Sequence, residues 1–190
     1  PFWTDTIART PFAHWASKIF RLDMAVDISH FPFLRSGFHP VGQRNLVYVG
    51  SGMPQKNLNL LLAMMDAMPD VKLFWYGAND HPLSRLPNVV ARGWTTLTVD
   101  MLREIVSNGD VFVNTSFSDA SPTALLEAAS IGFPIVCTPE SGIYDDRMVR
   151  SLKLDDVAFN VSVVRELLGF SDDFLMGMAV RARKVVEQTH

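Results

Sequence analysis

Two carboxylates, Asp119 and Glu127, flank the start of a helical pattern with seven residues between them, in the run Ser118-Asp119-Ala120-Ser121-Pro122-Thr123-Ala124-Leu125-Leu126-Glu127. Ser121 is an N-cap residue type, and Pro122 suits the first helical position, where its missing N–H costs nothing. Leu125, Ala128, Ala129 and Gly132 recur at helical spacing and mark an inward face. Thr123 and Glu127 lie four apart on another stripe, and helical side chains lean toward the N-terminus. The Glu127 carboxylate is thereby aimed back at the free N–H groups of the first turn, near where Asp119 enters. N–H groups suit a phosphate and carboxylates suit sugar hydroxyls, so the pattern fits a ligand that carries both.

A second chemical stretch is Val49-Gly50-Ser51-Gly52-Met53-Pro54-Gln55-Lys56-Asn57. Gly50 and Gly52 let the backbone approach a ligand, and Lys56 brings a cation suited to a diphosphate. The pair Gly50-x-Gly52 imitates the opening of a dinucleotide fingerprint. Position 55, however, is Gln instead of the third Gly, and no acid follows Phe74-Trp75-Tyr76 to hold a ribose. Two further loops carry candidate ligand contacts. Tyr76-Gly77-Ala78-Asn79-Asp80 contributes Gly77 and Asn79, and Gly93-Trp94-Thr95-Thr96 contributes Trp94, which can stack on a base or pack against a helix. Taken singly, Lys56 reads as a solvated cation, Asp119 as a complement to a helix dipole, and Glu127 as a helix-face carboxylate. The five histidines show no metal spacing, and Met64-Met65 reads as core filling.

The elements that must hold these loops alternate. Strands are expected at Leu46–Gly50, Val71–Tyr76, Val89–Arg92, Val111–Asn114, Pro134–Cys137 and Val157–Asn160. Helices are expected at Leu58–Ala67, Val99–Ser107, Pro122–Ile131, near Val161–Leu168, and at Asp172–Gln188, with Asn57 capping the first and Gly132 closing the third. Strands apolar throughout indicate a sheet covered on both faces, so the fold is expected to be doubly wound α/β with a parallel, Rossmann-like sheet of about six strands and helices on both faces. Ligands in such sheets sit at the carboxyl ends of the strands, where all four loops fall. Residues 1–44 have four prolines, two tryptophans and only a weak helical pattern near Pro11–Ile19. They read as a connection or N-terminal extension, and residues 45–190 as the ligand-binding domain.

A net charge of −3 argues against nucleic acid as partner. The lone Cys137 lies in an apolar run and reads as a buried small hydrophobe, which fits a reducing, cytoplasmic setting. No run is long and apolar enough to span a bilayer. The opening Pro1-Phe2-Trp3 lacks a methionine, so the chain reads as a piece of something longer.

Together the motifs resemble those of the C-terminal, donor-binding domain of GT-B glycosyltransferases, most closely the group 1 (family 4) retaining enzymes. Val26-Asp27-Ile28-Ser29-His30-Phe31-Pro32 resembles the end of the family's interdomain connection. Val49-Gly50 through Lys56-Asn57-Leu58 resembles its phosphate loop, and Gly109-Asp110-Val111-Phe112-Val113 with Ser116 its Ala-Asp-Val-Phe-Val strand. Asp119 to Glu127, with Gly132-Phe133-Pro134-Ile135-Val136 behind it, occupies the Glu-x7-Glu element. The resemblance covers about residues 20–190.

The resemblance implies a retaining, metal-independent transferase using a UDP- or GDP-sugar, with no cofactor, in polysaccharide or glycolipid synthesis. Glu127 would hold the ribose hydroxyls. Asp119 would bind hydroxyls of the transferred sugar and support charge at its anomeric centre. Backbone N–H groups around Ala120, Ser121, Pro122 and Thr123 would bind the diphosphate, and Lys56 would neutralise it on departure; Gly50, Ser51, Gly52, Gly77, Asn79 and Trp94 complete the donor site. An acceptor-binding N-terminal domain is implied as a partner absent from these 190 residues, and membrane contact would come only through it. The isolated domain is then expected to be inactive. Three positions depart from the family: Ser51 stands for an Arg, Asp119 for a Glu, and Thr115 for a Pro; the later Gly-x-Leu-Val pattern is also missing. The alternatives are a nucleotide-sugar 2-epimerase of the same fold, or a non-catalytic nucleotide-sugar-binding or scaffold module.

Overall fold

The computed structural model of the chain describes residues 7–18, 24–78, 80–119, 122–143 and 145–189. Its strands are β1 (Leu46–Gly50), β2 (Leu73–Gly77), β3 (Val89–Gly93), β4 (Val111–Asn114), β5 (Ile135–Cys137) and β6 (Val149–Ser151). Its helices are α1 (Leu58–Asp66), α2 (Val99–Asn108), α3 (Thr123–Ile131), α4 (Val157–Gly169) and α5 (Asp172–Thr189). The six strands form one sheet in the order β3-β2-β1-β4-β5-β6, with every pairing parallel. The order reverses between β1 and β4, which creates a crevice above their carboxyl ends.

The central strands are apolar on both sides because both sides are covered. Tyr48, Leu73, Trp75 and Val113 pack with Leu61, Met64 and Met65 of α1 and with Val164 and Leu167 of α4. Val47, Phe112, Ile135 and Cys137 pack on the other face with Leu102 and Ile105 of α2, Leu125 and Ala129 of α3, and Val185 of α5. This is the doubly wound parallel sheet expected from the alternation. Among the described residues, no helix is long and apolar enough to cross a membrane.

Several local expectations need correction. The stretch Val157–Asn160 is the first turn of α4 and not a strand. The Asp156 carboxylate accepts from the Phe159 N–H at 2.9 Å and starts the helix there, while Asn160 is buried and holds the Lys153 backbone through both ends of its amide. The sixth strand is instead Val149–Ser151, of which only Val149 is buried. Pro122 is not the first helical residue: its ψ of 59° leaves it outside the helix as N-cap, and its carbonyl accepts from Leu125 N at 2.9 Å. Asn57 precedes α1 as expected but caps nothing with its side chain; it adopts a left-handed conformation (φ 51°) that reverses the chain after a 3-10 turn, Pro54–Lys56. Gly132 does close α3, at φ 102°. The weak pattern near Pro11–Ile19 is a 3-10 helix over Ala13–Lys18 within the described residues, and Ile19 lies outside them.

Residues 34–45 strap the amino ends of the strands. The buried Arg35 guanidinium donates to the carbonyls of Gly132, Gly37, Val106 and Gly109 at 2.9–3.3 Å and lies between the Phe38 and Phe133 rings. Burial pulls its pKa down to about 10. The Asp110 carboxylate, fully buried ahead of β4, accepts from the N–H groups of His39 and Asn45 at 2.8 Å each. Arg44 donates to Leu168 O, Phe170 O and the Asp172 carboxylate, which ties the strap to the α4–α5 turn.

Candidate active site

The crevice is assembled from the loops after β1 and β4. Beyond Gly50 the chain runs Ser51-Gly52-Met53 and tightens into the 3-10 turn, whose bonds are Lys56 N to Met53 O (2.9 Å) and Asn57 N to Pro54 O (3.0 Å). This turn is stapled to the β4 loop. Thr115 Oγ1 donates to the carbonyls of Lys56 and Asn57 at 3.2 and 3.1 Å, and Phe117 N donates to Gln55 O at 3.0 Å. Across the staple the Lys56 ammonium forms an ion pair with the Asp119 carboxylate. The two side chains are 23% and 10% exposed, so water weakens the pair less than it would at the surface.

Asp119 is held from behind as well. Its N–H donates to Glu140 O at 3.0 Å, which brings in the loop after β5. A buried polar cluster fixes that junction: the Asn114 amide oxygen accepts from Ser116 N (2.9 Å), Ser116 Oγ (2.7 Å) and Ser141 Oγ (3.0 Å). Thr138 Oγ1 donates to Ser116 O and lies 2.9 Å from Ser141 Oγ. Gly142, at φ 89°, lets the Asp119 carbonyl pass: a Cβ there would stand 2.5 Å from it.

Glu127 stands one turn into α3, half-buried beside a cavity of about 20 Å³ that it lines with Val49, Leu97, Phe112, Ala124 and Phe133. These apolar neighbours desolvate the carboxyl and raise its pKa. No hydrogen bond or ion pair within the described residues engages it, in contrast to Asp119. The result is a carboxylate set among apolar walls, ready to accept hydrogen bonds from an incoming group.

The glycines have steric reasons. A Cβ on Gly77 would lie 1.8 Å from Gly50 O, so the ends of β1 and β2 approach more closely than any side chain allows. A Cβ on Gly50 would lie 2.6 Å from the Tyr48 hydroxyl. Gly52 is approached by the exposed Asp80, whose carboxylate oxygen stands 3.0 Å from where its Cβ would be.

Of the residues singled out from sequence, Gly50, Ser51, Gly52, Lys56, Gly77, Pro122, Thr123, Asp119 and Glu127 all lie at the carboxyl ends of β1, β2 and β4. Trp94 follows β3 and is 71% exposed, so it does not pack against a helix. Asn79, Ala120 and Ser121 lie outside the described residues. Cys137 is buried, and burial pushes its thiol up to about 12, so it packs as an apolar group. Among the described residues no three His, Cys, Asp or Glu side chains gather into a metal-binding set. Asn114, Thr138 and Ser141 as positioning groups, and Tyr48 and Trp75 as more than core, are not among the residues that stand out from sequence. The polar tips of the last two were the available signal, since a buried Tyr or Trp needs a partner.

Comparison with known proteins gives a consistent picture. The family model described as glycosyl transferases group 1 matches residues 43–164. Over 103 residues the chain is 33% identical to the sulfoquinovosyl transferase of Arabidopsis thaliana, a match covering 53% of this chain and 20% of that protein. The chain thus spans about a fifth of the curated relative it matches. Among solved structures, a glycosyltransferase from Rickettsia africae superposes with a TM-score of 0.78 at 12% identity, over 99% of this chain and 57% of that one. The Anabaena protein HepE, solved in complex with UDP and glucose, superposes with a TM-score of 0.66 at 13% identity, over 87% of this chain and 51% of that one.

Proposed function

The chain belongs to the group 1 glycosyl transferases, and from that premise we propose that it is the donor-binding part of a retaining, metal-independent transferase that takes its sugar from a UDP- or GDP-sugar. The observation that carries the reading is the meeting of Lys56 and Asp119 across the β1–β4 crevice, with Glu127, which has no bonding partner among the described residues, on the helix that opens beside them. A cation, a hydroxyl-binding acid and a second acid among apolar walls are what a nucleotide diphosphate sugar needs. HepE, a structural neighbour bound to UDP and glucose, makes UDP the first nucleotide to try.

In this reading the diphosphate lies over the N-terminus of α3, where free N–H groups and the helix dipole favour an anion. It draws Lys56 away from Asp119, and the ammonium meets the negative charge that gathers as the bond from the anomeric carbon to the phosphate oxygen breaks. Asp119 then accepts hydroxyls of the sugar. Glu127 accepts the ribose hydroxyls. The acceptor site lies on a further domain, so this chain alone binds donor without turning it over.

Calorimetry with UDP, GDP and ADP tests the reading on the 190-residue chain. UDP or GDP is expected to bind, and Lys56→Ala to weaken it about tenfold or more, the worth of a charge-assisted contact. Absence of binding by all three nucleotides at millimolar concentration would sink it.

A further inference from the structure

At the top of β1, two consecutive carbonyls are claimed by side chains from the core. Trp75 Nε1 donates to Gly50 O at 3.1 Å, and the Tyr48 hydroxyl donates to Ser51 O at 3.1 Å. Both residues are fully buried in the layer beneath α1 and α4, their rings 6.4 Å apart. The described chain has no cis peptide bond. In a trans peptide the N–H points opposite to the C=O of the same unit. Carbonyls of Gly50 and Ser51 turned into that layer therefore turn the N–H groups of Ser51 and Gly52 away from it. No hydrogen bond within the described residues takes either N–H. Lys56 ends the same loop, and the Ser51 side chain carries no charge.

Two adjacent N–H groups aimed the same way form a small anion cradle, and being already oriented they lose nothing to reorganisation when the anion arrives. We propose that Tyr48 and Trp75 are positioning residues that, through the carbonyls of Ser51 and Gly50, present the N–H groups of Ser51 and Gly52 to a phosphate of the donor, beside Lys56. This inference rests on the donor-binding reading above and extends it. Backbone donors supply at Ser51 the anion contact that its side chain does not. The nearby Asp80 carboxylate is exposed, so water and salt screen its repulsion of the anion.

Amide NMR on the 190-residue chain tests this directly. Titration with UDP or GDP is expected to shift the Ser51 and Gly52 N–H resonances, while uridine or guanosine leaves them in place. Tyr48→Phe, which keeps the ring and removes the donor, is expected to weaken the diphosphate about three- to tenfold, the worth of one or two aligned N–H contacts. It should leave nucleoside binding unchanged, and Trp75→Phe should act in the same sense. A merely structural role would weaken nucleoside and nucleotide alike. Should a variant fail to fold, the titration of the unaltered chain still decides. Nucleotide binding that leaves both amides unmoved overturns this inference alone. Absence of binding by UDP and GDP overturns it together with the donor-binding reading.

Discussion

Removing the Asn114 side chain tests whether the crevice depends on the cluster behind it. Asn114 is 2% exposed, and its amide oxygen accepts three hydrogen bonds: from Ser116 N, Ser116 Oγ and Ser141 Oγ. In Asn114→Ala, Ser141 Oγ keeps Thr138 Oγ1 at 2.9 Å, whereas both Ser116 donors stay buried without an acceptor. Each stranded donor costs about 1–3 kcal/mol, and rotation of the hydroxyl recovers part of that, so the expected loss is about 2–4 kcal/mol. Ser141→Ala makes the matched control. It deletes one donor and strands none, because Asn114 keeps Ser116 and Thr138 keeps Ser116 O, so its expected cost is about 0.5–1.5 kcal/mol. Urea unfolding followed by circular dichroism separates the two, provided the m-value is unchanged. Affinity for UDP or GDP should fall with Asn114→Ala, since Ser116 leads into the loop that carries Asp119. Equal losses in the two variants, or a loss below about 1 kcal/mol in Asn114→Ala, would refute the asymmetry on which the estimate rests.

Two further outcomes are expected. Burial raises the Glu127 carboxyl, so the folded chain holds this proton more tightly than the unfolded chain does. The resulting stability is complete below the ordinary carboxylate range and is lost as pH rises through the raised value. Glu127→Gln should therefore melt at or above the unaltered chain near pH 7, with the gap closing toward pH 4, while UDP or GDP affinity falls about tenfold or more; melting curves from pH 4 to 8 and calorimetry check both halves. Arg35→Ala strands the buried carbonyls of Gly132, Val106 and Gly109 and should cost about 3 kcal/mol or more in chemical denaturation, and Arg35→Lys, which replaces a planar fork by a point charge, should recover less than half of it.

The elements that could be read in advance are those whose burial repeats along the chain. β1 and β4 are apolar on both faces, so they stand out as runs; α3 is bracketed by a turn signal and Gly132. β6 was hidden because an edge strand of three residues with Arg150 and Ser151 exposed has no apolar run to show. Val157–Asn160 misled for the opposite reason: its Val and Phe favour strands locally, while the Asp156 cap and packing of α4 against α1 made it helix. In the site, Lys56, Asp119 and Glu127 were legible because their types and spacing carry chemistry. The cluster of Asn114, Ser116, Thr138 and Ser141 was not, since its bonds join residues up to 27 apart that look like ordinary turn formers. Tyr48 and Trp75 were masked by their apolar bodies.

The seam at which the strand order reverses also sets how the molecule comes together. β1 and β2 share five paired positions from neighbouring chain, whereas β1 and β4 share only two, Leu46 with Val111 and Val47 with Phe112. That short ladder closes a loop of about sixty residues, a large entropic step for few rungs. Lys56 and Asp119 sit on opposite banks of it, so neither half of the chain owns the site. The crevice exists only once the two halves have joined, and local opening along this seam erases it while leaving each half's strands paired. A ligand that spans both banks acts as a clasp on the least extensively paired junction of the inner sheet, and its binding energy is returned as resistance to that opening.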